Sequence, residues 1–326
     1  MPPATTVRAD DSLSQALKTS AEARVERLKK RIRRARAGEV EGVHDSRTEL
    51  RRLRAELEVM SRTGFDPVRT EKLSQRLRRA EKALSRTRDA DVMLASLEHY
   101  LTTHPDADGG AEGLGPLRSL VTNRRSHAME RLDERLERGL GRELRAFLEE
   151  AAPPGADGDE SPQPLVRDVT RGEIWHRYGT LGAYARRLPG DPEALHRFRA
   201  ECRKLRFVIE LFGEALPLGE SLAEELRAAQ DELGEMHDRY VAAQLILRYR
   251  ERGKLESSPA IDAFEAWNLS ECARLQESCR ARWLSLLTSR FRSRLAEALE
   301  DDVDAAERVR PARKAKSAGK RPAKTK

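Results

Sequence analysis

The chain has 326 residues, of which 38% are apolar, 36% charged and only 5% aromatic. Ordinary domains carry roughly a quarter charged residues, and long alternating Val/Ile/Thr runs are missing, so sandwiches, barrels and parallel α/β sheets are disfavoured. No stretch approaches the roughly 18 apolar residues of a membrane span; the best, YVAAQLIL at 240–247, is broken by Gln244. The opening MPPATTVRADDSL lacks the basic-then-apolar order of a secretory signal. The net charge of +7 is unevenly spread. Nine bases and no acid lie from Arg308 to Lys326; without them 53 bases face 55 acids, and residues 1–307 sum to −2. Any anion site in the body must therefore come from local arrangement of charge.

Helix punctuation is plain in chain order. A first helix is predicted from Ser12 to Arg36, ended by GEVEGV, and a second over His44–Arg62. Asp66–Pro67 supplies an N-cap followed by proline at the first helical position and opens a helix running to about Thr102. HPDADGGAEGLGP reads as a loop before a long helix over Pro116–Glu150. AAPPGADGDESPQP at 151–164 is a Pro/Gly/acid linker. Beyond it come helices over 169–187, from the Asp191–Pro192 cap to Phe212, over 218–252 and over 259–300. This reads as an all-α fold of two tandem four-helix bundles, 12–150 and 165–303, with a low-complexity basic tail at 304–326. Cys202, Cys272 and Cys279 have no metal-ligand spacing and read as structural thiols.

The halves also match residue by residue, the mark of an internal duplication. HDSRTELRRLR at 44–54 aligns with HRFRAECRKLR at 196–206, pairing His44 with His196, Arg47 with Arg199, Arg51 with Arg203, Arg52 with Lys204 and Arg54 with Arg206; Glu58 meets Glu210. LRRAEKALSRTRDADV at 77–92 aligns with LRAAQDELGEMHDRYV at 226–241, pairing Arg78 with Arg227 and Asp89 with Asp238. The fourth helices align more loosely, and the offsets of 152, 149 and 155 residues describe loop-length drift around one unit.

On a helical wheel, Arg47, Arg51, Arg54 and Glu58 follow His44 at the seam spacing that normally carries Leu or Ile. The second copy repeats the register with Arg199, Arg203, Arg206 and Glu210. One carboxylate per stripe cannot compensate a dry core of guanidinium groups, so these cations are expected to line a wet groove that a polyanion fills. The planar fork of arginine suits phosphate oxygens.

VHDSRTELRRLRAEL and LHRFRAECRKLRFVIELF, followed by RDADV and LGEMHDRYVA, resemble the CHAD domain, the conserved histidine α-helical domain. The resemblance spans about residues 12–300. It implies two four-helix bundles around a basic pore or cleft, binding of inorganic polyphosphate, and a cytoplasmic location at polyphosphate granules. Carried over by motif, the binding residues are His44, Arg47, Arg51, Arg52 and Arg54 with His196, Arg199, Arg203, Lys204 and Arg206. This sequence has Ser85 where the family commonly has glycine, and Arg239–Tyr240 after the second HD.

Further basic candidates are Arg78 and Arg227, recurring in both halves, and Arg124 and Arg125. Arg24, Arg27, Arg31 and Arg34 form another stripe that is either an exposed face or a channel rim. Asp89, Asp91 and Asp238 read as acceptors for arginines or helix amides. No cofactor or metal is implied, because the arginines beside His44 and His196 would repel a divalent cation. Three other classes of function compete with this reading. An enzyme of phosphate chemistry is disfavoured by the absence of a P-loop, a phosphatase cysteine loop or an ExExK pattern. A nucleic-acid binder would act through the tail without sequence preference, since the body lacks aromatic interleaving. The last is a plain helical scaffold.

Overall fold

The computed structural model describes residues 7–105, 110–132, 139–150, 164–184, 192–216 and 218–299, and among these the chain is all-helical apart from one isolated antiparallel bridge. Helix α1 (Leu13–Arg36) buries Leu13, Leu17, Val25 and Leu28 on one stripe. Helix α2 (Val40–Arg62) follows a turn in which Gly38 takes φ +83°. At Gly42 a Cβ would lie 2.5 Å from the backbone nitrogen of Ala35, so only glycine lets the two helix ends approach this closely. Helix α3 (Pro67–Thr103) starts as expected: the Asp66 carboxylate accepts from the amides of Val68 and Arg69 at 2.8 and 3.2 Å.

Two predicted long helices are interrupted. The one expected over 116–150 is described as α4 (Gly115–Glu130) and α5 (Leu140–Glu150), with Gly139 at φ +89° just before the second. After α6 (Val166–Tyr184), α7 (Pro192–Phe212) and α8 (Gly219–Glu251), the last expected helix also divides, into α9 (Pro259–Ser285) and α10 over 289–299. Its break is capped locally: the Thr288 hydroxyl donates to the Ser285 carbonyl at 2.7 Å and accepts from the Phe291 amide at 3.4 Å. A periodicity argument sees the shared apolar face on both sides of such a turn and reads straight through it. The Asp191 cap, most of the 151–164 linker and the tail lie outside the described residues.

Consecutive helices pack on one another from α1 to α4 and from α6 to α9, and the two runs meet through α2 on α7 and α3 on α8. The segment before α1 is also tied to the start of α6: Leu13 donates to the Pro164 carbonyl, and Val166 and Arg167 donate to those of Asp11 and Ala9. The buried apolar residues sort into two clusters, each drawing on both parts of the chain. On α3 the first cluster ends at Leu84 and the second begins at Ala90; on α8 the break lies between Met236 and Ala242. Those two breaks place Arg88, Asp89, His237 and Asp238 where the packed core gives way to a cavity.

Candidate functional site

A cavity of about 620 Å³, within the range of ligand sites, opens between α2, α3, α7 and α8. From α2 it receives His44, Arg47 and Arg51, and from α7 Arg199 and Arg203, so both repeated stripes contribute to one space. α3 adds Arg88, Asp89 and His99; α8 adds Gln230, Asp231, Glu235, His237, Asp238 and Arg239. The lining thus carries six arginines and four carboxylates. Helical spacing explains the selection: residues three, four or seven apart on α2 and α7 lie on one face and point together.

The carboxylates are unevenly distributed among the arginines. Glu81 of α3 receives Arg51 at 2.5 Å and Arg54 at 3.0 Å, and Arg47 reaches Asp89 at 4.0 Å. Arg88, Arg199 and Arg203 form no ion pair among the described residues. The field in the cavity reflects this. Burial, with Arg51 and Arg199 nearby, lowers the Arg203 guanidinium to about 9. Burial and Arg51 lower Arg47 to about 10. Arg199 is lowered by burial against the opposing pull of Asp238. Arg47 and Arg203 remain cations at neutral pH, but costly ones, and an anion in the cavity would relieve them. Burial raises Asp89 and Asp238 above the ordinary carboxyl range, while burial and Arg88 hold His44 below the ordinary imidazole value. Glu81 goes the other way: burial raises it, and Arg51, Arg54 and Arg47 together overcome that and leave it lowered.

Other candidates stand outside this lining. Arg52 and Lys204, which the repeat equates, reach across to each other's half: Arg52 to Glu210 at 2.9 Å and Lys204 to Glu58 at 3.7 Å. The repeat equates Glu58 and Glu210 too, so this is a reciprocal clamp rather than a ligand contact. Arg177 completes it on Glu58 at 2.6 Å. Arg206 lies 3.6 Å from Glu210 and 5.1 Å from the Phe207 ring centroid, which Arg52 also faces at 5.4 Å. Arg227 is exposed and pairs with Glu210 at 3.1 Å, Arg78 is exposed on α3, and Arg124 lies outside the lining with its Nε unpartnered. Arg125 is a brace: it donates to Asp91 and, at 2.8 Å, to the Gly38 carbonyl, tying α4 to the α1–α2 turn. The backbone of His196 lies in α7, but its side chain is outside the described ones.

The Arg24–Arg34 stripe divides: Arg34 is exposed and pairs with Glu39 at 2.7 Å, while Arg24, Arg27 and Arg31 are turned onto α2. Arg31 reaches the fully buried Glu49 at 2.7 Å, Arg24 reaches Glu56 at 3.0 Å, and Arg27 and Arg52 also lie within 3.7 Å of Glu49. Two acids buried on α2 neutralise the inner face of α1. Sequence reasoning missed Arg88, His237 and Gln230 as cavity residues, yet a signal existed. The alignment that pairs Asp89 with Asp238 also pairs Arg88 with His237 and Glu81 with Gln230. Arg239 has no such repeat; it is held in the lining by Ser96 at 3.1 Å and by the Trp267 ring, 4.1 Å from its centroid. No cluster of three or more metal-ligating side chains occurs among the described residues. Cys202, Cys272 and Cys279 are free thiols.

No curated protein matches this sequence. Among solved structures, the chain is similar to the CHAD domain from the plant Ricinus communis, with a TM-score of 0.69 and 24% identity over 87% of this chain and 96% of that one. It is also similar to PptA from Streptomyces chartreusis, with a TM-score of 0.65 and 16% identity over 84% and 99% of the two chains. At these identities the likeness carries the fold. The CHAD domain profile matches residues 19–247 and 190–325, a span that takes in every residue of the cavity, and the chain therefore belongs to the CHAD domain family.

Proposed function

We propose that the protein binds inorganic polyphosphate in the cavity between α2, α3, α7 and α8, acting as a binding protein rather than an enzyme. The reading takes 12–150 and 165–303 as two copies of one four-helix unit, which bring their His/Arg helices to a shared basic channel. The observation that carries it is the set Arg88, Arg199 and Arg203: three guanidinium groups face one cavity with no ion pair, whereas the arginines of the α1 stripe are satisfied by Glu49 and Glu56. Guanidinium groups left without an ion pair in a concave space where arginines outnumber carboxylates favour a ligand made of closely spaced phosphoryl anions. A bare phosphate chain fits between helices where a duplex does not, so nucleic acid is the weaker ligand of the body. Residence at polyphosphate granules in the cytoplasm follows from the same binding.

The test is calorimetric titration of the full chain with long-chain polyphosphate, with duplex DNA as competitor. Replacing Arg88, Arg199 and Arg203 with Ala removes contacts worth about 1.5–3 kcal/mol each before non-additivity. Binding is expected to weaken by orders of magnitude, with a flatter salt dependence because fewer counterions are released. Deleting 308–326 is expected to shift affinity far less. A triple variant that binds like wild type, or DNA that competes on equal terms with the tailless chain, overturns the proposal.

A further inference from the structure

The two repeated stripes enter the cavity with the same arginines but not with the same neighbours. On the first wall Arg51 is bound by Glu81, whose side chain is 14% exposed and shared with Arg54. The repeat places Gln230 at the position of Glu81. Gln230 is 8% exposed, lines the cavity, and its Nε2 has no hydrogen-bond partner among the described residues. Arg203, the counterpart of Arg51, correspondingly forms no ion pair. A buried amide donor without an acceptor and a half-buried cation without an ion pair point to the same missing partner, an acceptor-rich anion. The next turn differs as well. Gly234 stands where the first copy has Ser85, and even a Cβ at 234 would come within 3.4 Å of Arg199 Nη2.

Resting on the polyphosphate reading above, we infer that the cavity is polar: phosphoryl groups seat first on the second wall, against Arg199, Arg203 and Gln230, while Glu81 holds in advance the place a phosphoryl group would take on the first. Positions 81 and 230 then determine which wall leads. A carboxylate at either one competes with the ligand for that wall's arginines, and an amide at either one donates to the ligand instead. A phosphoryl group reaching Arg51 must displace Glu81, a desolvated partner with good geometry, whereas one reaching Arg203 displaces only water.

Calorimetric titration with tripolyphosphate, and then with long-chain polyphosphate, tests this on the full chain. In the wild type, Arg203→Ala is expected to weaken tripolyphosphate binding by at least about tenfold and Arg51→Ala by no more than about threefold. Gln230→Glu is expected to weaken binding by about tenfold while raising the Tm of the free protein, because the new carboxylate pairs the half-buried Arg203. Glu81→Gln tightens binding. The double exchange E81Q/Q230E, which leaves net charge unchanged, recovers wild-type affinity within about threefold and reverses the ranking, so that Arg51 becomes the costlier arginine to remove. Equal losses from Arg51→Ala and Arg203→Ala in the wild-type background, or a double exchange that still depends on Arg203, overturn the polarity while leaving polyphosphate binding intact. Failure of the wild-type chain to bind either probe overturns both readings. Should Q230E fail to fold, the two alanine variants still decide the ranking.

Discussion

Replacing Arg203 with Met separates what this side chain costs the fold from what it gives the ligand. Met keeps an unbranched stem of similar length, so the packing of the arginine methylenes along α7 is largely retained while the charge is removed. The cation is unfavourable in the free protein: burial and the like charges of Arg51 and Arg199 bring it well below the ordinary guanidinium value, to about 9. Each pKa unit corresponds to about 1.36 kcal/mol, and the cavity is open to water that screens much of this, leaving an effective penalty of about 1–2 kcal/mol. Arg203→Met should therefore stabilise the unliganded protein by that amount, raising Tm by about 2 °C per kcal/mol for a chain of this size. With polyphosphate the sign reverses. The lost charge-assisted contact is worth about 1.5–3 kcal/mol, a weakening of roughly 10- to 150-fold. Scanning calorimetry of the ligand-free protein and calorimetric titration with polyphosphate read the two halves of the prediction. A variant that melts lower than wild type yet binds as tightly would refute it, because Arg203 would then be a structural cation with an unrecognised partner.

Three further outcomes follow from particular contacts. His44 is held below the ordinary imidazole value of 6.5 by burial and Arg88, so the unfolded chain takes up the proton first; stability is expected to fall as pH drops below about 6.5, and His44→Gln should flatten that dependence in denaturant titrations. Bound polyphosphate favours the imidazolium, so affinity should rise over the same fall in pH and lose that component in the same variant. Glu49→Gln removes the buried carboxylate serving Arg31 at 2.7 Å, Arg52 at 3.5 Å and Arg27 at 3.7 Å, and should cost about 3–5 kcal/mol in urea unfolding. Gly42→Ala drives a methyl group to 2.5 Å from Ala35 N and 2.6 Å from Arg34 C; thermal melting should register a loss of about 1–3 kcal/mol, and an unchanged Tm would mean that the α1–α2 turn relaxes freely.

The sequence by itself determined the helical class and most helix boundaries, and it aligns the two stripes residue by residue. These follow from local terms: the Asp66–Pro67 cap, the 3.6-residue spacing of Leu13, Leu17, Val25 and Leu28, and the register shared by Arg47, Arg51 and Arg199, Arg203. It could not determine which arginines are already spent on carboxylates. Arg52 and Arg51 are neighbours in one basic run, yet one clamps Glu210 158 residues away and the other faces the cavity. Arg27 and Arg31 repeat the four-residue spacing of the cavity arginines, and Glu49 on the adjacent helix absorbs them. Periodicity ranks residues around one helix axis, whereas pairing depends on the residues the neighbouring helix brings opposite, and that is a property of packing between segments distant in the chain. The net field of the cavity, with Glu81 holding Arg51 on one side and Gln230 lining the other, is for that reason a decision of the tertiary structure.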